Sequence, residues 1–271
     1  MGIGLGKIKA ARPEHKPPAW PSADLGSIHF GDGDSISGVN RINQRTFIKR
    51  TGQGLAALAV GPAALAKPKT EPVATFSIAG VDPHTGDLGV AVQSEFFAVG
   101  SVVPWAKAGV GAVATQSIAE PSYGPKGLAL MEQGIPAAEA LQSLLAKDPG
   151  ENARQVAMVD ARGNVGVHTG SRCISYASHR TGKSYSVQAN IMAKPTVPAA
   201  MVQAFESTTG DLAERMLAAL DAAEAEGGDL SGRQSAAMLV VSGEPTGDLW
   251  KDRIVDLEGA DHKDPLGELR R

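Results

Sequence analysis

The sequence predicts an α+β fold in which antiparallel sheets are covered by helices, and three observations support this prediction. From residue 75 onward the predicted segments run in the order strands, two helices, strands, two helices, strand. The strands arrive mainly as hairpins rather than as βαβ units, which excludes a doubly wound parallel sheet. Only 4% of the residues are aromatic, so the core consists mostly of small aliphatic side chains. Such side chains suit two sheets that pack face to face with helices outside.

The first three strands are predicted from alternation and turn chemistry. Polar and apolar residues alternate over Thr75–Val81, as they do in a half-buried strand. The turn-forming run 82–87 leads into a returning strand over Leu88–Gln93, so these segments form a hairpin. A third strand is predicted over Gly109–Gln116.

Four helices are predicted, in two pairs. They cover residues 124–132, 136–148, 197–206 and 211–226. Pro136 fits the first turn of the second helix because its missing N–H would have no helical partner there. Asp211 and Glu214 form a capping-box pattern at the start of the fourth helix, which ends at Gly227.

The remaining strands lie between and after the helix pairs. Gln155–Asp160 and Val165–Thr169 flank the turn 161–164 and form a second predicted hairpin. Further strands are predicted over Tyr185–Met192 and Ser235–Val241.

Composition excludes several function classes. The 26 basic and 29 acidic residues leave a net charge of −3, which argues against a nucleic-acid-binding protein. The single cysteine, Cys173, excludes an internal disulfide and a zinc site built from several thiolates. His168 and His179 are the histidines inside the predicted domain core and stand in no His-Glu-x-x-His motif, so we expect no metal. No glycine-rich phosphate loop follows a strand in a βαβ setting, so we expect no nucleotide cofactor either.

Residues 1–74 have the pattern of a leader that ends in an export signal. Residues 1–44 are rich in Gly, Pro and Ser and are predicted to be disordered. The basic segment 44–50 precedes 16 uncharged residues, 51–66, and Ala64-Leu65-Ala66 is a small-x-small cleavage signal. The apolar run is shorter than the ~20 residues of a membrane span, so no stable membrane span is expected. The alternative is a buried Ala-rich helix.

The export prediction places the mature domain, residues 75–271, in the periplasm or outside the cell. Residues 44–49 resemble a twin-arginine signal in which glutamine replaces the first arginine, which leaves the general secretory route open. Cleavage after Ala74 would make Thr75 the first residue of the mature chain. Cleavage after Ala66 would leave eight residues, 67–74, ahead of Thr75.

Several ordered blocks resemble the uncharacterised DUF1028 family. They are Thr75–Ile78, Leu88–Val92, Val102–Ala106, Gly109–Gln116, Tyr123–Pro125, Tyr185–Asn190 and Gly232–Ala237. The resemblance extends from Thr75 to about Arg271 and implies the fold of the N-terminal-nucleophile (Ntn) hydrolases, with four layers in the order αββα. Two departures are Ala189, where the family usually has glycine, and residues 258–265, which differ from the family's late acidic stretch.

The resemblance implies a specific nucleophile. In Ntn hydrolases the first residue of the mature chain attacks a carbonyl, and its own α-amine acts as the base. That amine has a pKa near ~8, close to working pH. Thr75 is the candidate, provided that the chain is cleaved between Ala74 and Thr75. The alternative is that Thr75 is only a β-branched strand residue.

Other candidates are placed relative to that nucleophile. Lys107 follows Thr75 by 32 residues, a spacing similar to that of the lysine that lowers the amine pKa in proteasome-type enzymes; a solvated lysine is the alternative. The amides and hydroxyl of Gln116, Ser117, Gln188 and Asn190 lie at strand ends and would donate to an oxyanion or hold a substrate amide. Cross-strand hydrogen bonding is the alternative for these four.

Arg233, Gln234 and Ser235 open the last predicted strand and are candidate substrate-binding residues. Arg233 would bind a carboxylate through two hydrogen bonds, although a surface ion pair is an equal alternative.

The leading hypothesis is an exported amide hydrolase that acts on a small-molecule or peptide amide. The alternatives are a non-catalytic Ntn-like domain that binds a ligand or protein partner, and a cell-wall-associated module. The helical face Leu212–Leu220 is a candidate surface for a homodimer.

Overall fold

The computed structural model describes residues 73–271, which contain ten strands and six helices. The leader and export-signal predictions fall outside the described residues. The strands are β1 (Thr75–Val81), β2 (Leu88–Ser94), β3 (Pro104–Lys107), β4 (Gly111–Ser117), β5 (Arg154–Asp160), β6 (Val165–Thr169), β7 (Ser178–Gly182), β8 (Tyr185–Asn190), β9 (Ser235–Val241) and β10 (Arg253–Gly259). The helices are α1 (Tyr123–Glu132), α2 (Ala137–Leu145), α3 (Val197–Ser207), α4 (Leu212–Ala225), α5 (Leu249–Asp252) and α6 (Pro265–Leu269). None of these helices is long and apolar enough to cross a membrane.

Two antiparallel sheets are stacked between two pairs of helices. One sheet has six strands in the order β10-β9-β2-β1-β8-β7, and the other has four in the order β3-β4-β5-β6. Helices α3 and α4 cover the six-stranded sheet, and α1 and α2 cover the four-stranded sheet. The predicted α+β sandwich is therefore confirmed.

The two-residue period of the strands separates the apolar layers. On β1, Phe76 and Ile78 point to the helix side and pack with Met216 of α4. Ala79 and Val81 point to the facing sheet and pack with residues such as Ala112 of β4. A third layer joins α1 and α2 to the outer face of the four-stranded sheet.

The layer between the sheets changes from apolar to polar along the strands. Thr75 and Ser77 precede Ala79 and Val81 on the same face of β1. Antiparallel pairing places the start of β1 beside the ends of β2 and β8, with Thr75 opposite Ser94 and Asn190. The other sheet contributes the end of β4 and the start of β5 to this region. One end of the sandwich therefore has a buried polar interior.

The sequence did not predict three of the strands, and all three lie at sheet edges. β3, β7 and β10 each have a single strand neighbour. Edge strands need no continuous apolar pattern because one side is not covered. β7 reads Ser-His-Arg-Thr-Gly, and most of β10 is exposed, so neither has the apolar alternation that marked the central strands. The short helices α5 and α6 were also not predicted.

The face of α4 that was a candidate dimer surface lies in the core. Leu212, Met216 and Leu220 are buried against the six-stranded sheet with Phe76 and Ile78. The prediction of a dimer through this face is therefore wrong. Its apolar stripe reflected packing within the domain.

The predicted capping box at the start of α4 is present and has a measurable consequence. The Asp211 side chain accepts from the Glu214 N–H at 2.9 Å, and the Glu214 side chain accepts from the Asp211 N–H at 3.3 Å. We expect Asp211→Ala to lower the free energy of unfolding by about 1 kcal/mol because a helix-terminal N–H loses its acceptor. Urea denaturation measures this change; equal midpoints for the two proteins would contradict it.

Candidate functional site

Thr75 borders a cavity of about 470 Å³ at the polar end of the sandwich. We call it the Thr75 cavity; its lining is Val73, Thr75, Ser94, Phe96, Val99, Val102, Val103, Gln116, Ser117, Ile118 and Ala119. The Thr75 side chain is almost fully enclosed, with 3% of its surface exposed. The sequence places it there because Thr75 is the first inter-sheet position of β1.

The Thr75 and Ser94 hydroxyls form a pair that also contacts the preceding chain. Their oxygens are 3.0 Å apart, and Ser94 Oγ donates to the Ala74 carbonyl at 2.7 Å. Thr75 Oγ1 lies 3.2 Å from the Val73 carbonyl, to which it can donate. The two hydroxyl protons can therefore be shared among three acceptors, which are the Val73 carbonyl, the Ala74 carbonyl and the oxygen of the other hydroxyl. When Ser94 donates to the Ala74 carbonyl, the Thr75 hydroxyl can donate to the Val73 carbonyl or to Ser94 Oγ.

The chain continues ahead of Thr75 in this structure. Val73 forms an antiparallel bridge with Ser117 and lines the Thr75 cavity. The Thr75 nitrogen therefore belongs to the Ala74–Thr75 peptide bond here. It would become a free amine only after cleavage of that bond.

Buried amides join the two sheets behind Thr75. The Gln116 amide nitrogen donates to Gln155 Oε1 at 2.8 Å and approaches the Thr75 carbonyl at 3.3 Å. The Asn190 amide nitrogen makes similar contacts, at 3.1 Å to Gln155 Oε1 and 3.3 Å to the Thr75 carbonyl. Ser77 Oγ donates to Gln116 Oε1 at 2.6 Å. The network holds the first carbonyl of β1 in place between the sheets.

Gln155 is the centre of this network. Its Oε1 accepts from both amides, and its amide nitrogen donates to Thr169 Oγ1 at 3.0 Å and to the Ala189 carbonyl at 3.0 Å. A third contact reaches the Ser178 carbonyl at 3.2 Å. Gln155 therefore connects the four-stranded sheet to β7 and β8.

The candidate strand-end residues divide into two groups. Gln116 and Ser117 line the Thr75 cavity and can contact a ligand. Gln188 and Asn190 are fully buried and hydrogen-bond within the protein; Gln188 donates to Ser77 Oγ at 2.6 Å. The alternative of hydrogen bonding between strands thus describes Gln188 and Asn190, and it describes the side chain of Gln116 as well.

Two features at the strand ends have an energetic cost. Asn190 Oδ1 is buried and has no hydrogen-bond partner among the described residues. Ser117 and Ile191 adopt positive φ angles, 70° and 57°, which are unfavourable for side chains with a Cβ and most unusual for a β-branched residue. Such strain is concentrated at functional sites in proteins.

Lys107 does not lie at this site. It pairs with Gly111 at the start of β4, five residues from Gln116, a separation of roughly 17 Å along a strand. Its ammonium group is 2.5 Å from Glu132 Oε1 at the surface. The structure therefore corrects the prediction that Lys107 lies beside Thr75, and supports the solvated alternative.

Arg233, Gln234 and Ser235 lie one strand further away. Arg233 forms an ion pair with Glu224 at 2.9 Å, and the Gln234 amide donates to Asp261. Ser235 Oγ donates to the Phe96 carbonyl at 2.5 Å and accepts from the Val99 N–H at 3.0 Å. Ser235 thus supports one wall of the Thr75 cavity, while Arg233 and Gln234 have partners elsewhere.

Ser94 and Gln155 are site residues that the sequence analysis did not assign. Both occupy inter-sheet positions: Ser94 is the last residue of β2, and Gln155 is the second residue of β5. The two-residue alternation of each strand could have identified them. Ser94 lies on the same face of β2 as Val90 and Val92, and Gln155 lies on the same face of β5 as Ala157 and Val159. A polar residue at the end of an apolar face marks the site.

The two histidines of the predicted core lie apart from the Thr75 cavity. His168 contacts Glu151, and His179 Nδ1 lies 2.9 Å from Thr169 Oγ1. Burial and the neighbouring His168 lower the pKa of His179. Within residues 73–271 no group of three or more His, Cys, Asp or Glu side chains is arranged to hold a metal ion.

Comparisons with known proteins identify the same part of the chain. The model of a family described as a family of unknown function, DUF1028, matches residues 75–269. A crystal structure of a DUF1028 protein from Silicibacter pomeroyi is 31% identical and superimposes with a TM-score of 0.66. That match covers 73% of this chain and 83% of the other. No curated protein matches the sequence.

Proposed function

Because the chain belongs to the DUF1028 family, whose function is unknown, its activity has to be inferred from the site, and we propose that it is an exported amide hydrolase with Thr75 as nucleophile. The observation that carries this proposal is the Thr75 hydroxyl, which lies at the start of β1, contacts Ser94 at 3.0 Å and borders a cavity of about 470 Å³. A chain that begins at Thr75 would place a hydroxyl and an amine on one residue beside a substrate cavity. Export of the domain is the part of the proposal that depends on the sequence alone.

Maturation is the first step of the proposed function. Thr75 Oγ1 attacks the Ala74 carbonyl carbon, the C–N bond to Thr75 breaks, and the nitrogen takes the hydroxyl proton. The resulting ester is hydrolysed by water, which leaves the Ala74 carboxylate and a free Thr75 amine. The Ser94 hydroxyl donates to the Ala74 oxygen at 2.7 Å, so a donor is already in place for the negative charge that develops there.

The mature site would then act on a separate amide. The Thr75 amine accepts the hydroxyl proton while Oγ1 attacks the substrate carbonyl, and the same proton passes to the leaving amine. Water hydrolyses the acyl ester and regenerates the hydroxyl. Ser94 donates to the oxyanion, whereas Asn190 and Gln116 are positioning residues because they hold the Thr75 carbonyl.

One observation favours the non-catalytic alternative. Val73 pairs with Ser117 and lines the cavity that a substrate would need. A domain that keeps this segment would bind a ligand or partner without catalysis.

The N-terminus of the processed protein distinguishes the two functions. We expect intact-mass analysis of protein recovered from the exported fraction to show a chain that begins at Thr75. Thr75→Ala should remain uncleaved and have no amidase activity, whereas Thr75→Ser should retain both cleavage and activity. Activity in a protein that retains residues ahead of Thr75 would overturn the proposal.

Ser94→Ala should slow cleavage of the Ala74–Thr75 bond by about 10²-fold because the carbonyl loses its hydroxyl donor. The matched control is Ser101→Ala, at an exposed serine that ends the short 3-10 helix Val99–Ser101 and does not line the cavity; this variant should cleave at the normal rate. A time course by mass spectrometry measures both. Equal rates for the two variants would exclude Ser94 from this step.

A further inference from the structure

The geometry points to an apolar peptide as the substrate: an amide in which an aliphatic residue and then a small residue precede the cleaved bond, bound where Val73 and Ala74 lie in the uncleaved chain. This inference rests on the proposed function, since it names the substrate class of the same site. It assigns the positions of both substrate residues.

The uncleaved chain itself shows how a peptide occupies the acyl side of Thr75. Val73 forms an antiparallel bridge with Ser117, so its backbone is aligned along the end of β4. The Ala74 carbonyl accepts from Ser94 Oγ at 2.7 Å. A substrate peptide in the same place would use the same backbone contacts, and its carbonyl would lie next to the same hydroxyl.

The cavity wall selects for an aliphatic side chain. Val99, Val102, Val103 and Ile118 line it, and its polar lining residues, Thr75, Ser94, Gln116 and Ser117, are all uncharged. No charged side chain is among the described residues of the lining. Val73 is half-buried beside this wall, so a lysine or aspartate in its place would lose part of its hydration without gaining a charged partner, which is costly.

The position next to the cleaved bond selects for a small side chain. Ala74 is almost fully enclosed, with 1% of its surface exposed. A leucine there would require the neighbouring chain to move, and well-packed interiors resist such displacement.

The chemistry is that of the proposed hydrolase. Thr75 Oγ1 forms an ester with the small residue's carbonyl carbon, the amide C–N bond breaks, and the amine leaves with the proton from the hydroxyl. Water then attacks the ester, which releases the dipeptide acid and restores the hydroxyl.

The test measures both cleavage and binding in the processed protein. If the chain does not cleave itself, full-length protein carrying a site-specific protease sequence ahead of Thr75 supplies the same N-terminus. The substrates are p-nitroanilides of acetyl-Val-Ala, acetyl-Lys-Ala, acetyl-Val-Leu and hexanoic acid. The products acetyl-Val-Ala and acetyl-Lys-Ala, as free acids, are titrated calorimetrically.

We expect kcat/KM for acetyl-Val-Ala-p-nitroanilide to exceed that for the lysine and leucine peptides by at least about 100-fold. The hexanoyl amide, which lacks the backbone groups that pair with Ser117, should also be a poor substrate. Uncleaved Thr75→Ala protein should not bind acetyl-Val-Ala because Val73 and Ala74 occupy the site.

The outcomes separate this inference from the proposed function. Binding of acetyl-Val-Ala in preference to acetyl-Lys-Ala, without cleavage of any anilide, would support the peptide site and overturn the hydrolase. Cleavage of all four anilides at similar rates would support the hydrolase and overturn the peptide inference. No binding and no cleavage would overturn both.

Discussion

Gln155→Leu should lower the free energy of unfolding by about 3–5 kcal/mol, because the leucine fills a similar volume but removes the centre of the buried amide network. The amides of Gln116 and Asn190 lose their shared acceptor, and the Ala189 carbonyl loses its donor. Each buried group left without a partner costs about 1–3 kcal/mol. Guanidinium denaturation followed by circular dichroism measures the change.

The matched control for this prediction is Gln142→Leu on the exposed face of α2. Surface substitutions usually change stability by less than about 0.5 kcal/mol. If the two glutamine variants unfold at the same denaturant concentration, the network does not stabilise the inter-sheet layer. If the Gln155 variant is as stable as the wild type but cleaves slowly at Ala74–Thr75, the network positions Thr75 without stabilising the fold.

Much of the fold was predictable because its central strands carry a clear two-residue period. β1, β6 and β9 have the predicted bounds, and β2 and β5 differ by one residue. Helix α4 begins where the capping box placed it. The edge strands β7 and β10 were missed because most of their side chains are exposed, so no apolar alternation marks them. The DUF1028 resemblance drawn from short sequence blocks is confirmed by the family match.

The site was less predictable because its residues come together only through register. Thr75, Gln116 and Ser117 were assigned as candidates, and they do border one cavity. Lys107 was placed by its spacing from Thr75, but spacing along the chain does not indicate which end of β4 it pairs with. Ser94 meets Thr75 because β1 and β2 pair with these two residues opposite each other. That register follows from the length of the hairpin turn, which the sequence analysis did not use.

A buried carboxyl group provides the second large prediction. Asp229 is 9% exposed, and its Oδ2 has no hydrogen-bond partner among the described residues. Its Oδ1 accepts from the Ser231 N–H at 2.8 Å. Burial, with a smaller contribution from the nearby Glu95 carboxylate, raises the pKa of Asp229 to about 7.

This raised pKa makes the contribution of Asp229 to the stability of the folded protein smaller at neutral pH than in mild acid. The unfolded chain releases the Asp229 proton near pH 4, whereas the folded chain holds it until about pH 7. The contribution of the protonated Asp229 to the free energy of unfolding is therefore complete below pH 4 and decreases as the pH rises to 7. It is absent above pH 7. Asp229→Asn removes this dependence. The variant should gain stability relative to the wild type between pH 4 and 7, by at most about 4 kcal/mol.

Urea denaturation of both proteins at pH 4, 5.5, 7 and 8 measures the difference. Glu95→Gln serves as a second variant: without the neighbouring negative charge, the pKa of Asp229 should fall, and the loss of stability should be complete at a lower pH. A difference between Asp229→Asn and the wild type that stays constant from pH 4 to 8 would show that Asp229 ionises as it does in water. In that case the carboxyl would have to be hydrated in solution, since its burial is the main cause of the raised pKa.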